Sequence, residues 1–123
     1  MTAGDIQFTT HGHVVVARMS GEVDMSNATE MVAAIGSAAT NQMTGVVLDL
    51  SDVEYLDSAG IHLVFTLREN LRARGQEMRL VVGSQSPVND ALRLAGVSGL
   101  MVTSPDLSDA LRDLGVEESA SQP

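Results

Sequence analysis

Val46-Val47-Leu48-Asp49-Leu50, followed by Asp57-Ser58-Ala59-Gly60 and an apolar series at Leu63, Val64, Leu67 and Leu71, is the stretch that decides how this chain folds. The first run opens continuously apolar rather than alternating, as in an interior strand covered on both faces. The second places its apolar residues at helical spacing from about Ala59 to Arg74, with Gly60 on the same inward stripe. Gly75 then supplies the residue favoured at a left-handed C-terminal position. A covered strand followed by an amphipathic helix begins a β-α-β unit, and the flanking sequence supplies the remainder.

Upstream, Ile6 and Phe8 alternate with polar residues as far as Thr10-His11-Gly12-His13, and an extended run from Val14 to Met19 follows, so the chain opens with a β-hairpin. Gly21-Glu22-Val23-Asp24 is expected to lead out of the sheet. Ser26 or Asn27 can cap a helix in which Ala28, Met31, Val32, Ile35, Ala38 and Ala39 recur at helical spacing, and Glu30 stands three residues after Asn27 as in a capping box. Downstream, Met78 to Val82 is the next strand. Ser86-Pro87 opens a third helix with Val88, Ala91, Leu92 and Ala95 on its buried side and Gly96 as its stop. Leu100-Met101-Val102 is expected as a short strand, and Ser104-Pro105-Asp106 starts a fourth helix carrying Leu107, Ala110, Leu111 and Leu114. The predicted architecture is α/β in the order β-β-α-β-α-β-α-β-α: a mixed sheet of about five strands, antiparallel at its N-terminal hairpin and parallel afterwards through right-handed crossovers. One domain is expected over residues 5–116, with 117–123 as a flexible polar tail.

Composition narrows the function. The 123 residues, 44% of them hydrophobic, suit one core, and with 2% aromatics and no Trp that core is built from aliphatics and the seven Met. A net charge of -9 argues against direct nucleic-acid binding and against anionic membranes, since both partners would repel this surface. All positive charge is Arg; Arg68, Arg72, Arg74 and Arg79 form either a local basic patch or a solvated helix face. The absence of Cys leaves no disulfide or thiolate metal site, and no run approaches membrane-spanning length or resembles a signal peptide. A cytoplasmic protein without membrane insertion and without a cofactor is expected.

The chemistry-bearing residues cluster in Tyr55-Leu56-Asp57-Ser58-Ala59-Gly60-Ile61-His62. Asp57 or Ser58 can accept a hydrogen bond from a free N–H at the helix start, worth about 1 kcal/mol. Catalysis by Ser58 would need a base and an oxyanion site. His62 is one turn away, but the first Gly of Gly-x-Ser-x-Gly is missing, so no catalytic residue is assigned. His11 and His13 flank a turn glycine without a third ligand nearby, so no metal site is assigned either. Ser58 can instead be a regulatory acceptor, because a phosphate of about -1.5 to -2 charges is tolerated at a helix N-terminus while repelling a partner docked over it. Ile61 and Phe65, with Arg68 and Arg72 along the same stripe, are either an apolar anchor with a basic end or the edge of the core.

Asp57-Ser58-Ala59-Gly60-Ile61, preceded by a strand and Tyr55-Leu56, resembles the Asp-Ser-x-Gly-hydrophobic signature of STAS domains, in particular bacterial anti-sigma factor antagonists. Gly21-Glu22-Val23-Asp24 is similar to the family's other recurring segment, and the resemblance spans Asp5 to Val116. It implies a non-enzymatic partner switch. The unmodified protein would bind an anti-sigma factor with an ATPase-like serine-kinase fold and so release a sigma factor. Phosphorylation of Ser58 by that kinase would break the complex, and a serine phosphatase would restore it. Asp24, Asp57, Ser58, Gly60, Ile61, His62 and Phe65 are the expected partner-binding residues. Ala59 stands where many relatives carry a second Ser or Thr, and His62 where a small residue is frequent. The alternative within the family is a subunit of a lipid-transport or stress-signalling complex, with Ser58 as a cap or contact only.

Overall fold

Gly12, at a φ of 62°, turns β1 (Asp5–His11) back onto β2 (Val14–Val23), pairing them antiparallel from Asp5 opposite Ser20 to His11 opposite Val14. The structure is a computed structural model whose described residues are 3–116, so the expected tail at 117–123 lies outside them. β2 then pairs parallel with β3 (Gly45–Leu56), β3 with β4 (Glu77–Val81), and β4 with β5 (Thr103–Ser104), giving one mixed sheet ordered β1-β2-β3-β4-β5. The expected fold class and the central place of the Val46–Leu50 run hold. Val46, Val47, Leu48 and Leu50 are fully buried because helices cover both faces.

α1 (Ala28–Ala38), α2 (Ser58–Ala73) and α3 (Asn89–Leu94) bury Met31, Ile35, Leu63, Val64, Leu67, Leu71 and Leu92 in the larger core. On the opposite face α5 (Leu107–Asp113) packs Ala110 and Leu111 over Val14, Val16, Val47 and Val81. Gly96, at a φ of 83°, stops α3 as expected, but one further turn, α4 (Val97–Leu100), follows it. Ala95, placed on the buried side of the third helix by its spacing, is exposed, since that helix ends before it.

Three local expectations change. Gly21-Glu22-Val23 does not leave the sheet: β2 runs on to Val23, which is fully buried opposite Leu56. Register shifts accompany this stretch, with Gly21 at a φ of 76°. The last strand is not Leu100-Met101-Val102 but Thr103–Ser104, since Leu100 ends α4 and pairing begins with Leu80 opposite Thr103. No capping box forms at α1. The Asn27 side chain accepts from the Asp24 N–H (3.0 Å) and donates to the Glu22 carbonyl (3.0 Å), while Glu30 is exposed.

Candidate functional site

β4 pairs with β3 only over Gly45–Asp49, so the far ends of β2 and β3 run on past β4 as a ribbon, flanked by β1 as far as Ser20 and by a lone bridge from Ala3 to Glu22. Its final pair is Val23 opposite Leu56, which makes the next residues on each strand, Asp24 and Asp57, neighbours at one tip. The Asp57 N–H donates to the Val23 carbonyl at 3.3 Å and closes that tip. Two segments 33 positions apart in sequence thereby form one surface because two strands share a register.

Asp57 caps α2: its Oδ1 accepts from the Gly60 N–H at 3.0 Å, and its Oδ2 accepts from the Met25 N–H at 3.3 Å. One carboxylate thus satisfies a helix-start donor and pins the β2–α1 loop. Asp24 organises the same loop. Its Oδ1 accepts from the Ser26 N–H (2.9 Å) and the Ser26 hydroxyl (2.5 Å), which hold its carboxyl below the ordinary carboxylate range.

Ser58, the second candidate cap, has no capping role. It is the first residue of α2, exposed, and its hydroxyl makes no hydrogen bond among the described residues. Gly60 is buried where the helix start meets the ribbon: a Cβ there would stand 2.7 Å from the Val23 carbonyl and 2.9 Å from Leu56 Cδ2. The glycine lets α2 approach β2 so closely that Asp57 can reach both loop and helix.

Ile61 and Phe65 are half-buried and pack against the main core, so their flank is a core edge with a partly open side. Arg68 is half-buried and paired with Glu69 (2.8 Å), and Arg72 is exposed at 4.0 Å from the same carboxylate. Three of the four arginines, Arg68, Arg72 and Arg79, line one hollow, and Arg74 stands apart from it. Arg74 binds the Gly36 and Ala39 carbonyls at the C-terminal end of α1, and Arg79 pairs with Glu77 (3.1 Å) and Asp113 (2.7 Å). His11 and His13 sit at the opposite end of β2; His11 hydrogen-bonds Thr9, and no cluster of three or more metal-binding side chains occurs among the described residues.

His62 is exposed and lines a largely apolar groove of about 480 Å3 between α1 and α2, together with Met25, Thr29, Val32, Ala59 and Thr66. Met25 was missed by reading the methionines as core: Met19, Met31, Met78 and Met101 are buried, but Met25 is 82% exposed. Its sequence position carries a signal, since it falls outside the helical spacing that begins at Ala28.

The anti-sigma-F factor antagonist RsfB of Mycobacterium tuberculosis is 31% identical over 102 residues, covering 82% of this chain and 81% of the relative. The crystal structure of an anti-sigma factor antagonist from Mycobacterium paratuberculosis superposes with a TM-score of 0.81 at 27% identity, covering 92% of this chain and 95% of that one. The Bacillus cell fate determinant SpoIIAA, solved in its phosphorylated form, shares the fold with a TM-score of 0.65 at 21% identity, over 89% of this chain and 99% of that one. The STAS domain model matches residues 5–110, taking in the ribbon, both tip segments and all of α2. With that match and these relatives, the chain belongs to the STAS domain family.

Proposed function

We propose that this protein is a cytoplasmic anti-sigma factor antagonist, a binding protein rather than an enzyme, whose partner is an anti-sigma factor with an ATPase-like serine-kinase fold. Ser58 is the phosphoacceptor, and a serine phosphatase reverses the modification. The observation that carries this reading is the division of labour at the start of α2: Asp57 holds the helix cap, leaving the Ser58 hydroxyl exposed and uncommitted. The surface around it comprises Asp24, Asp57, Gly60, Ile61, His62 and Phe65, with Met25 added from the loop that Asp57 pins.

A phosphate on Ser58 would add about -1.5 to -2 charges at pH 7, next to the unpaired N–H groups and positive dipole end of α2. The domain tolerates that charge. A partner seated over the tip does not, because the phosphate joins Asp57 and Asp24 and must be desolvated by the contact.

The test mixes the protein with ATP and each serine-kinase anti-sigma factor of its source organism, followed by intact mass and binding measurements. One phosphate on Ser58 and loss of the complex are expected. Ser58→Ala should bind its partner and resist release, and Ser58→Asp should bind more weakly. No phosphate transfer and no binding of the unmodified form would sink the proposal, and recovery of membrane-transport ATPase subunits instead would point to the lipid-transport role.

A further inference from the structure

We propose that His62 is a built-in counter-charge for phosphorylated Ser58, making the modified state sensitive to pH between about 5.5 and 7.5. The inference rests on the phosphoacceptor reading above. Ser58 and His62 are i and i+4 on α2, and both are exposed. Side chains so spaced are neighbours, with Cβ atoms about 5–6 Å apart.

Of the two other near positions on the helix, Ile61 at i+3 carries no charge and Asp57 is the preceding cap. Across the groove, α1 and its loop face His62 with Met25, Ala28, Thr29, Val32 and Ala33, all uncharged. Other charges on the surrounding elements are the Asp24 and Asp57 carboxylates at the tip, Glu22 and Glu54 on the strands that end there, Glu30 in the first turn of α1, and Glu69 two turns along α2, held by Arg68 and Arg72. Among the described arginines, Arg18 is paired with Asp52, while Arg74 and Arg79 bind elsewhere. The imidazole is therefore the cation-forming group one helical turn from the acceptor hydroxyl.

Phosphoserine loses its second proton near pH 6 and imidazole titrates near 6.5, so the two ionisations fall in one range and couple. The phosphate dianion raises the proton affinity of His62, and protonated His62 favours the dianion. In acid the phosphate is drawn along α2 toward the groove mouth. Near pH 8 it is released to solvent beside Asp57.

The experiment uses full-length protein with phosphoserine installed at position 58 during translation, so it does not depend on any kinase. Proton-detected NMR follows the three imidazoles and phosphorus NMR follows the phosphate, each against pH, in modified and unmodified protein. Phosphorylation should move the His62 midpoint up by about 0.5–1 pH unit. His11 and His13, at the far end of the ten-residue strand β2, should not move. In the His62→Gln variant the phosphate midpoint should rise by a similar amount while circular dichroism stays unchanged. A His62 midpoint equal in both forms, or a phosphate midpoint indifferent to His62→Gln, overturns the proposal. Failure of every kinase to modify Ser58 would count against the partner-switching function instead and leave these titrations standing.

Discussion

Two glycine-to-alanine changes in helices should move stability in opposite directions. At Gly60 an added methyl would stand 2.7 Å from the Val23 carbonyl, a backbone atom that also accepts the Asp57 N–H, and 2.9 Å from Leu56 Cδ2. Neither the ribbon tip nor the helix start can yield without loosening the cap. Overpacking of this kind costs about 1–3 kcal/mol, and the upper half applies because the clash is with backbone. The alanine returns at most about 1 kcal/mol in helix propensity, less in the first turn, so Gly60→Ala should lose about 1–3 kcal/mol.

Gly36 lies inside α1, and its added methyl would meet only Arg74 Nη1 at 4.0 Å. Gly36→Ala should therefore gain about 0.5–1 kcal/mol. Urea unfolding followed by circular dichroism measures both, with the two midpoints separated on opposite sides of the parent. Gly60→Ala as stable as the parent would refute the claim that close approach of α2 to β2 requires a glycine there.

Asp57→Ala should cost about 2 kcal/mol in the same assay, combining a lost helix cap with a lost tie to the Met25 N–H, whereas Asp57→Asn should retain most of that stability. Gln76, 4% exposed, donates its amide to the Ala39, Thr40 and Met43 carbonyls; Gln76→Glu turns an acceptor toward three acceptors and should cost about 3 kcal/mol or more, measurable as a thermal midpoint shift. The Asp24 carboxyl is depressed by Ser26, so its contribution is present above its ordinary value of 3.8 and lost as pH falls through the lower folded value. Ser26→Ala should accordingly be less stable than the parent at neutral pH, and the gap should close as both are acidified; a gap constant down to about pH 2 would contradict this.

The parts of the fold legible in the sequence are those where one physical term dominates. Val46 to Leu48 is continuously apolar because α2 and α5 cover its two faces, and Gly75 and Gly96 stop helices because both take positive φ. What sequence could not show was decided by pairing at a distance. Ser51 to Leu56 is mostly exposed and carries four acidic or hydroxyl residues, yet it is strand because β2 continues beside it. Thr103–Ser104 pairs where Leu80 and Val81 offer an edge, and Leu100, apolar but 56% exposed, does not. At the site, spacing located Asp57, Ser58 and Gly60 but could not separate the first two as cap, because either side chain chemistry suits a helix start. Met25 escaped because methionines read as core packers, and nothing in its local sequence reports a hydrogen bond made 32 residues away.

Because Asp57 holds the cap, Ser58 can be modified without touching the fold. Had Ser58 closed the helix, phosphorylation would have replaced a structural hydrogen bond, and stability would change together with any change in binding. With Asp57 holding both Gly60 and Met25, the hydroxyl beside it carries no share of the fold. Ser58→Ala should then leave the unfolding midpoint within about 0.5 kcal/mol of the parent, as for an ordinary surface change, while Asp57→Ala loses several times that. The comparison isolates the cap from the acceptor without any partner present. Equal losses in the two variants would mean that the serine also supports the helix start, and a phosphate there could no longer act on binding alone.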